Sequence, residues 1–410
     1  MHDAFGNSVN CSSPAAVRAY DRAVDQYLHA FPGVLEATEE ALLHDPQFGL
    51  AYALRGLSYA MYGRSNDART CLVQAKECSA GASGREKAYV DLIGAIIEGR
   101  VTAALHAVEL HASRYPTDIA AIAPALGAYG LFAFSGRVDH DAARLAFVEG
   151  LAPRYADPFP WLLAHRGWCR IECGAVDEGL AMVLEAIAAR PANGHNAHMV
   201  MHGYHEKGDP QGAQDFLTSW LPTYPNSALM WGHLQWHWAL TELALGRDDL
   251  ALSRLLGPIL DFLPRGTPFM GLPDTVSLLW RLGLRGNRTS AWNTAREHAR
   301  RFFPSGSNTF GEVHLGMLAA AYRDRAELQE CERRLQAMAR TGHDGADAGR
   351  HWVRALRALL DDDKPMAIQE FDSCRAELPR LGGSHVQRGI VEETRAALQL
   401  PTVDGVVSRT

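Results

Sequence analysis

The sequence predicts an all-α protein. Its helix pairs should stack into an α-solenoid of about seven to eight pairs, curled around a central groove or pocket. Three observations lead there. Breaks containing proline recur at Pro46, Pro116, Pro158, Pro191 and Pro225, and the last three are about 34 residues apart. Between breaks lie two helical patterns joined by a turn containing glycine. Hardly any segment alternates with period two, and β-branched residues are few, so strands are not expected.

The elements follow in order. Residues 1–32 read as an N-terminal arm and helix. Phe48 to Gly63 and Ser65 to Cys78 form an early pair, and Ile119 to Gly136 with Asp141 to Leu151 form another. The centre is the most regular. Pro158 to Arg190 turns at Gly174, Pro191 to Tyr224 at Gly208, and Asn226 to Leu263 at Gly246. There "SALMWGHLQWHWALTELALG" ends where a helix C-cap belongs, and "RDDLALSRLLGPILDFLP" opens with two aspartates that suit a helix N-terminus. Further pairs are Leu272–Leu284 with Ser290–Phe303, Thr309–Arg323 with Ala326–Ala339, and Ala346–Leu360 with Pro365–Leu378. A helix over 383–398 caps the array, and 399–410 is a tail. The period is that of tetratricopeptide repeats, and residues 1–410 read as one such superhelical domain.

Bulk composition narrows the function. The chain has 410 residues, 47% hydrophobic and 21% charged, the balance of a soluble globular protein. A net charge of -7 and the absence of a basic run exclude nucleic acid as the expected partner. The N-terminus lacks a basic stretch followed by an apolar one, and no apolar run is long enough to span a bilayer, so no membrane partner is expected. Seven scattered cysteines without a CxxC pair read as reduced thiols of a cytoplasmic protein. Cys169 and Cys173, one turn apart, read as small core residues rather than half a metal site.

The chemistry concentrates in histidine. "GHNAHMVMHGYHEKG" carries His195, His198, His202 and His205, spaced 3, 4 and 3. On a helix these fall within about 80° of each other. "GHLQWHWAL" carries His233 and His237, a second i, i+4 pair. In a tetratricopeptide array the first helix of each pair lines the inner groove. Counted back from the turn glycines, these histidines take groove-facing positions, as do His165 and His314. Converging neutral imidazoles can bind a divalent metal, move protons or hold an anion. Neither "HMVMH" nor "HLQWH" has the glutamate of a zincin. His2, His29, His44, His106, His111, His140, His298 and His343 read as ordinary packing or surface residues. Trp236, between the paired histidines, reads as a pocket wall, whereas Trp238 reads as packing against the second helix.

"HMVMHGYHEKGDPQGA", "GHLQWHWALTELALGRDDLAL", "LPDTVSLLWRLGLRG", "FGEVHLGMLAAA" and "GGSHVQRGI" occur in one order. This series resembles the tetratricopeptide repeat protein 38 family over nearly the whole chain. The resemblance implies an α-solenoid and little about activity. It matches the family's paired histidines to His198 and His202, and to His233 and His237. It also matches an aspartate to Asp274, a histidine to His314 and a Gln-Arg pair to Gln387 and Arg388. His385 stands where the family varies. The chain departs at His205, where the family carries glutamate, at His195, where tryptophan is common, and at Leu126 and Gly127, which replace a His-Asp pair. Histidine in place of glutamate makes the groove less negative, which favours an anionic ligand or a softer metal site.

The remaining motif is "GGS" at Gly382–Ser384. It opens a helix whose N–H groups, with Arg388 one turn on, can grip a carboxylate or serve as a plain cap. The sequence thus points to an enzyme or ligand-binding protein acting by acid–base chemistry on a small polar or anionic molecule. His198, His202, His233 and His237 form its centre and can hold a divalent metal: zinc, iron, manganese or nickel. His205 and His314 are further catalytic candidates. His195, His165, Trp236, Asp274, His385, Gln387 and Arg388 would contact substrate. The alternative is a scaffold that binds a partner protein or peptide in its groove. A third reading is a groove that opens below about pH 6 as its imidazoles charge.

Overall fold

The structure is a computed structural model and describes residues 1–155 and 159–399. The break at Pro158 and the tail from residue 400 lie outside the described residues. All regular structure among the described residues is helical, apart from one isolated bridge between His2 and Ser8. The chain divides into two compact units. The first comprises Met1–Ser135, Asp141–Gly203 and Trp220–Trp231, and the second Gly136–His140, Tyr204–Ser219 and Gly232–Thr410.

The repeat is written in the turns. The helices Gly49–Met61, Gly84–Ile97, Pro160–Glu172, Gly194–Lys207, Trp231–Ala244 and Pro268–Leu284 are each followed by a left-handed glycine: Gly63, Gly99, Gly174, Gly208, Gly246 and Gly286. At Gly174 the backbone closes as a Schellman motif. Ala175 N–H donates to the Arg170 carbonyl at 2.8 Å and Gly174 N–H to Ile171 at 3.0 Å. Arg323 (φ 54°) and Asp362 (φ 57°) hold the same place after Thr309–Ala321 and Ala346–Leu360. These recurrent helix–turn–helix pairs make the fold all-α and of tetratricopeptide type.

In the first unit the N-terminal arm is tied down by buried charge. Arg85 donates to the Ser8 carbonyl at 2.8 Å and to Asp118 at 2.6 Å, and Asp118 also takes His111 at 2.8 Å. Glu86 accepts from Asn10 N–H, and Asp45 from Ser12. The Pro160–Glu172 and Val176–Ala189 helices pack closely through facing glycines. A Cβ on Gly167 would lie 2.7 Å from the Gly179 carbonyl.

In the second unit one core joins Trp236, Leu255, Leu279, Trp352, Phe371 and Ile390. The C-terminal helix Ile390–Leu398 is pinned to Pro268–Leu284, with Trp280 Nε1 donating to Thr394 at 3.0 Å and Arg281 to Glu393 at 2.9 Å. Among the described residues no helix is long and apolar enough to cross a membrane.

Several boundaries differ from expectation. Residues 79–118 hold an unexpected pair, Gly84–Ile97 and Val101–Arg114, and Val34–His44 adds a helix before the first expected pair. The expected helix Ile119–Gly136 ends early, as Ile119–Ile122 and a 3-10 turn over Ala123–Ala125. Pro124 cannot donate to Ala120, and Gly127 turns left-handed at φ 89°. Leu272 is not a helix start, because the helix begins at Pro268 and carries Pro273 inside it. The helix after Gly246 loosens into a π turn at Leu255–Ile259 around Pro258. The capping helix breaks at Gly389 into His385–Arg388 and Ile390–Leu398.

Candidate functional site

Within the first unit, His165, Trp168 and Glu172 share one face of the Pro160–Glu172 helix by their spacing of three and four. The helix carrying the first histidine pair begins at Gly194, where a Cβ would strike the Tyr224 hydroxyl at 2.2 Å. At its other end Gly203 lets the backbone past Leu180, whose Cδ1 would be 2.7 Å from a Cβ. His202 is thereby set fully inside, with no exposed surface, and His198 is 5% exposed.

The two imidazoles meet edge to face with Nε2 atoms 2.8 Å apart. His202 Nδ1 lies 2.9 Å from the Glu172 carboxylate, and both side chains are wholly buried. An ionised Glu172 accepts only, so Nδ1 is the protonated nitrogen and Nε2 of a neutral His202 carries the lone pair. That nitrogen either accepts a proton from His198 or shares an electrophile with it. Trp168 closes one side, its ring 5.9 Å from His202.

The His165 ring lies tilted against Trp161, with centroids 4.3 Å apart. Burial pushes its pKa well below the usual histidine range, with His195 and the Arg144 guanidinium adding to the effect. His195 is pushed down to about 4, first by burial and then by His29. Both are neutral at neutral pH.

Within the second unit the same device recurs. His233 Nδ1 lies 2.8 Å from Asp274 Oδ2, and His237 stands edge to face with His233 at 4.9 Å. Burial raises the Asp274 carboxyl, and His233 opposes that rise. Asp274 sits inside its helix, as the expected helix Leu272–Leu284 also places it. His314 is buried, with Nδ1 donating to the Phe310 carbonyl at 2.8 Å, and burial pushes its pKa down to about 4.

Other expected site residues stand elsewhere. His205 is exposed in the last turn of its helix, because the stripe outruns the buried stretch. His385 is exposed and pairs with Glu206 at 2.9 Å. Gln387 completes a capping box with Ser384, and Arg388 donates to the Gly383 carbonyl and lies 3.5 Å from His140 Nε2. Trp236 is fully buried in the core with Nε1 on Ser277 at 3.2 Å, and it stacks on His233 at 5.2 Å. Trp238 is the partly exposed one and carries the Arg254 guanidinium at 3.4 Å. Cys169 is buried and Cys173 exposed.

Sequence reasoning missed Glu172, Arg144 and Trp168. A lone acid in the last turn of a buried helix was the available signal for Glu172.

No family model matches the chain. Among solved structures it is similar to Naa15/Naa10 bound to HypK-THB, at 11% identity and TM-score 0.22, over 93% of this chain and 61% of that one. It is similar to the P58(IPK) TPR domain at 11% identity and TM-score 0.24, over 93% of this chain and 99% of that one. The chain thus spans 61% of the length of the first of these. The tetratricopeptide-type assignment rests on the helix pairs and turns themselves.

Proposed function

We propose that this chain is a metal-assisted ligand-binding protein of the tetratricopeptide repeat protein 38 type, located in the cytoplasm. Its substrate is a small polar or anionic molecule, and His198 and His202 hold a divalent cation. One observation carries the reading. Buried Glu172 fixes the tautomer of His202, so that its bare Nε2 faces His198 Nε2 at 2.8 Å. A carboxylate behind a ligating imidazole is the usual outer support of a metal site. Imidazole donors suit zinc, iron or nickel, and manganese less well. When bound, such a cation would polarise a substrate oxygen or activate water. This chain's own part is to hold the imidazoles dry and oriented. His233, steadied by Asp274, and His237 support the same reading for the second pair.

The test is elemental analysis of untagged protein prepared without chelators. His198→Ala/His202→Ala and His233→Ala/His237→Ala variants run beside it. Stoichiometric metal that vanishes in the first variant is the expected result, and the second variant reports whether the other pair contributes. Metal-free wild-type protein overturns the reading. A second reading, a scaffold for a partner protein, is favoured by the repeat fold, whose stacked pairs offer extended binding surfaces. Metal-free protein that copurifies with a stoichiometric partner is its expected signature.

A further inference from the structure

Beside the first histidine pair the first unit buries hydrogen-bond donors with no acceptor among the described residues. Arg144 is 1% exposed, and its guanidinium lies over the Trp168 ring, 3.9 Å from the centroid. Its two terminal nitrogens are used. One donates to Asp141 and the other to the Gly127 carbonyl at 3.3 Å. Among the described residues Nε of Arg144 has no partner, and neither has Nε1 of Trp168, a residue that is also 1% exposed. The Cys169 thiol lies beside the guanidinium, but sulfur is a weak acceptor. His165, one turn before Trp168, leaves Nδ1 without a partner as well.

Arginine Nε and indole Nε1 can only donate. Burying either without an acceptor leaves the loss of its hydration uncompensated. Two such groups, stacked against each other, describe the outline of a missing acceptor. The charge sets its class. With Asp141 already on the guanidinium, a monoanion adds one negative charge and a dianion two, so the lower charge is the less costly to bury, and the two oxygens of a planar monoanion match two donors.

We propose that Arg144 Nε and Trp168 Nε1 form a binding site for a small monocarboxylate. The carboxylate is the anchor of the substrate handled at His198 and His202, since Trp168 touches both Arg144 and His202. In placing the anchor beside that pair the inference rests on the metal reading, but the anchor can be tested by itself.

The probe is sodium acetate, with inorganic phosphate and chloride at matched ionic strength, added to the full chain labelled with nitrogen-15 in its indoles. The Trp168 resonance is assigned by its absence in Trp168→Phe, which keeps an aromatic ring, smaller than the indole, and removes the donor. Acetate should shift that resonance in a saturable way and raise the unfolding midpoint. Trp168→Phe should bind acetate about tenfold more weakly by midpoint titration, and Arg144→Gln more weakly still. A resonance that no anion moves means that water satisfies the donors and overturns the proposal. Equal response to phosphate and chloride overturns the carboxylate assignment, and so does wild-type affinity in Trp168→Phe. Metal content measured on the same samples separates the two readings. Loss of metal in His198→Ala/His202→Ala with the acetate response intact leaves the anchor standing whatever happens to the metal proposal.

Discussion

Glu172 is the residue on which the chemistry of the first pair turns. Its carboxylate is wholly buried and meets His202 Nδ1 at 2.9 Å. Glu172→Gln keeps the shape and an acceptor but removes the charge. Zinc affinity, measured by competition with a chelating dye, should fall about 10–100-fold with the fold intact. Unchanged affinity would mean that the charge of Glu172 adds nothing beyond the acceptor that glutamine keeps. The histidine pairs were legible in the sequence because spacing of four on a helix is a local property. Their acids were not, since Glu172 lies 30 residues from His202 and Asp274 lies 41 from His233. Asp274 came into view only through resemblance to a family. Glu172 had no such guide, being one acid among many until the helices packed.

At the level of elements, the helix Pro160–Glu172 carries His165, Trp168 and Glu172 together, so its seat decides the geometry of all three. That seat depends on Gly167. A Cβ there would lie 2.7 Å from the Gly179 carbonyl and 2.9 Å from Met182 Cβ and Val183 Cγ1. Backbone cannot yield as a side-chain end can, so Gly167→Ala should force the helices apart. It should cost about 1–3 kcal/mol in urea unfolding and weaken metal binding with it. An alanine variant of wild-type stability would show that the helices have slack. The turn glycines made most helices legible, since each ends its helix by a local closure that glycine makes cheap. Gly84–Ile97 and Val101–Arg114 escaped notice because a Gly-Ser segment precedes them instead of a proline. Ile119–Gly136 was over-read because its apolar composition outweighed Pro124 and Gly127.

For the molecule as a whole, buried histidine ties stability to acid. His314 is 1% exposed and titrates at about 4, His195 also at about 4, and burial lowers His165 and His298 as well. In the unfolded chain each takes a proton near pH 6.5. Between 6.5 and 4 the unfolded state therefore holds more protons than the folded one, and stability rises with pH through that window. It is complete above 6.5 and drains away as pH falls towards 4. The raised carboxyls of Asp274, Glu312 and Glu86 act with the opposite sign, their folded forms keeping a proton above the ordinary acid range, and they soften the lower end. Such a molecule does not open at pH 6 through His314 or His195, because both remain neutral there. The unfolding free energy should be flat from pH 8 to 7 and fall steadily below 6.5. His314→Phe places an apolar ring beside Phe310 and Trp352 and deletes one of the titrating groups. Between pH 8 and 5 it should lose about 2 kcal/mol less than the wild type. Parallel pH profiles for the two proteins would show that His314 charges inside the fold as readily as in water, and that burial does not hold it neutral.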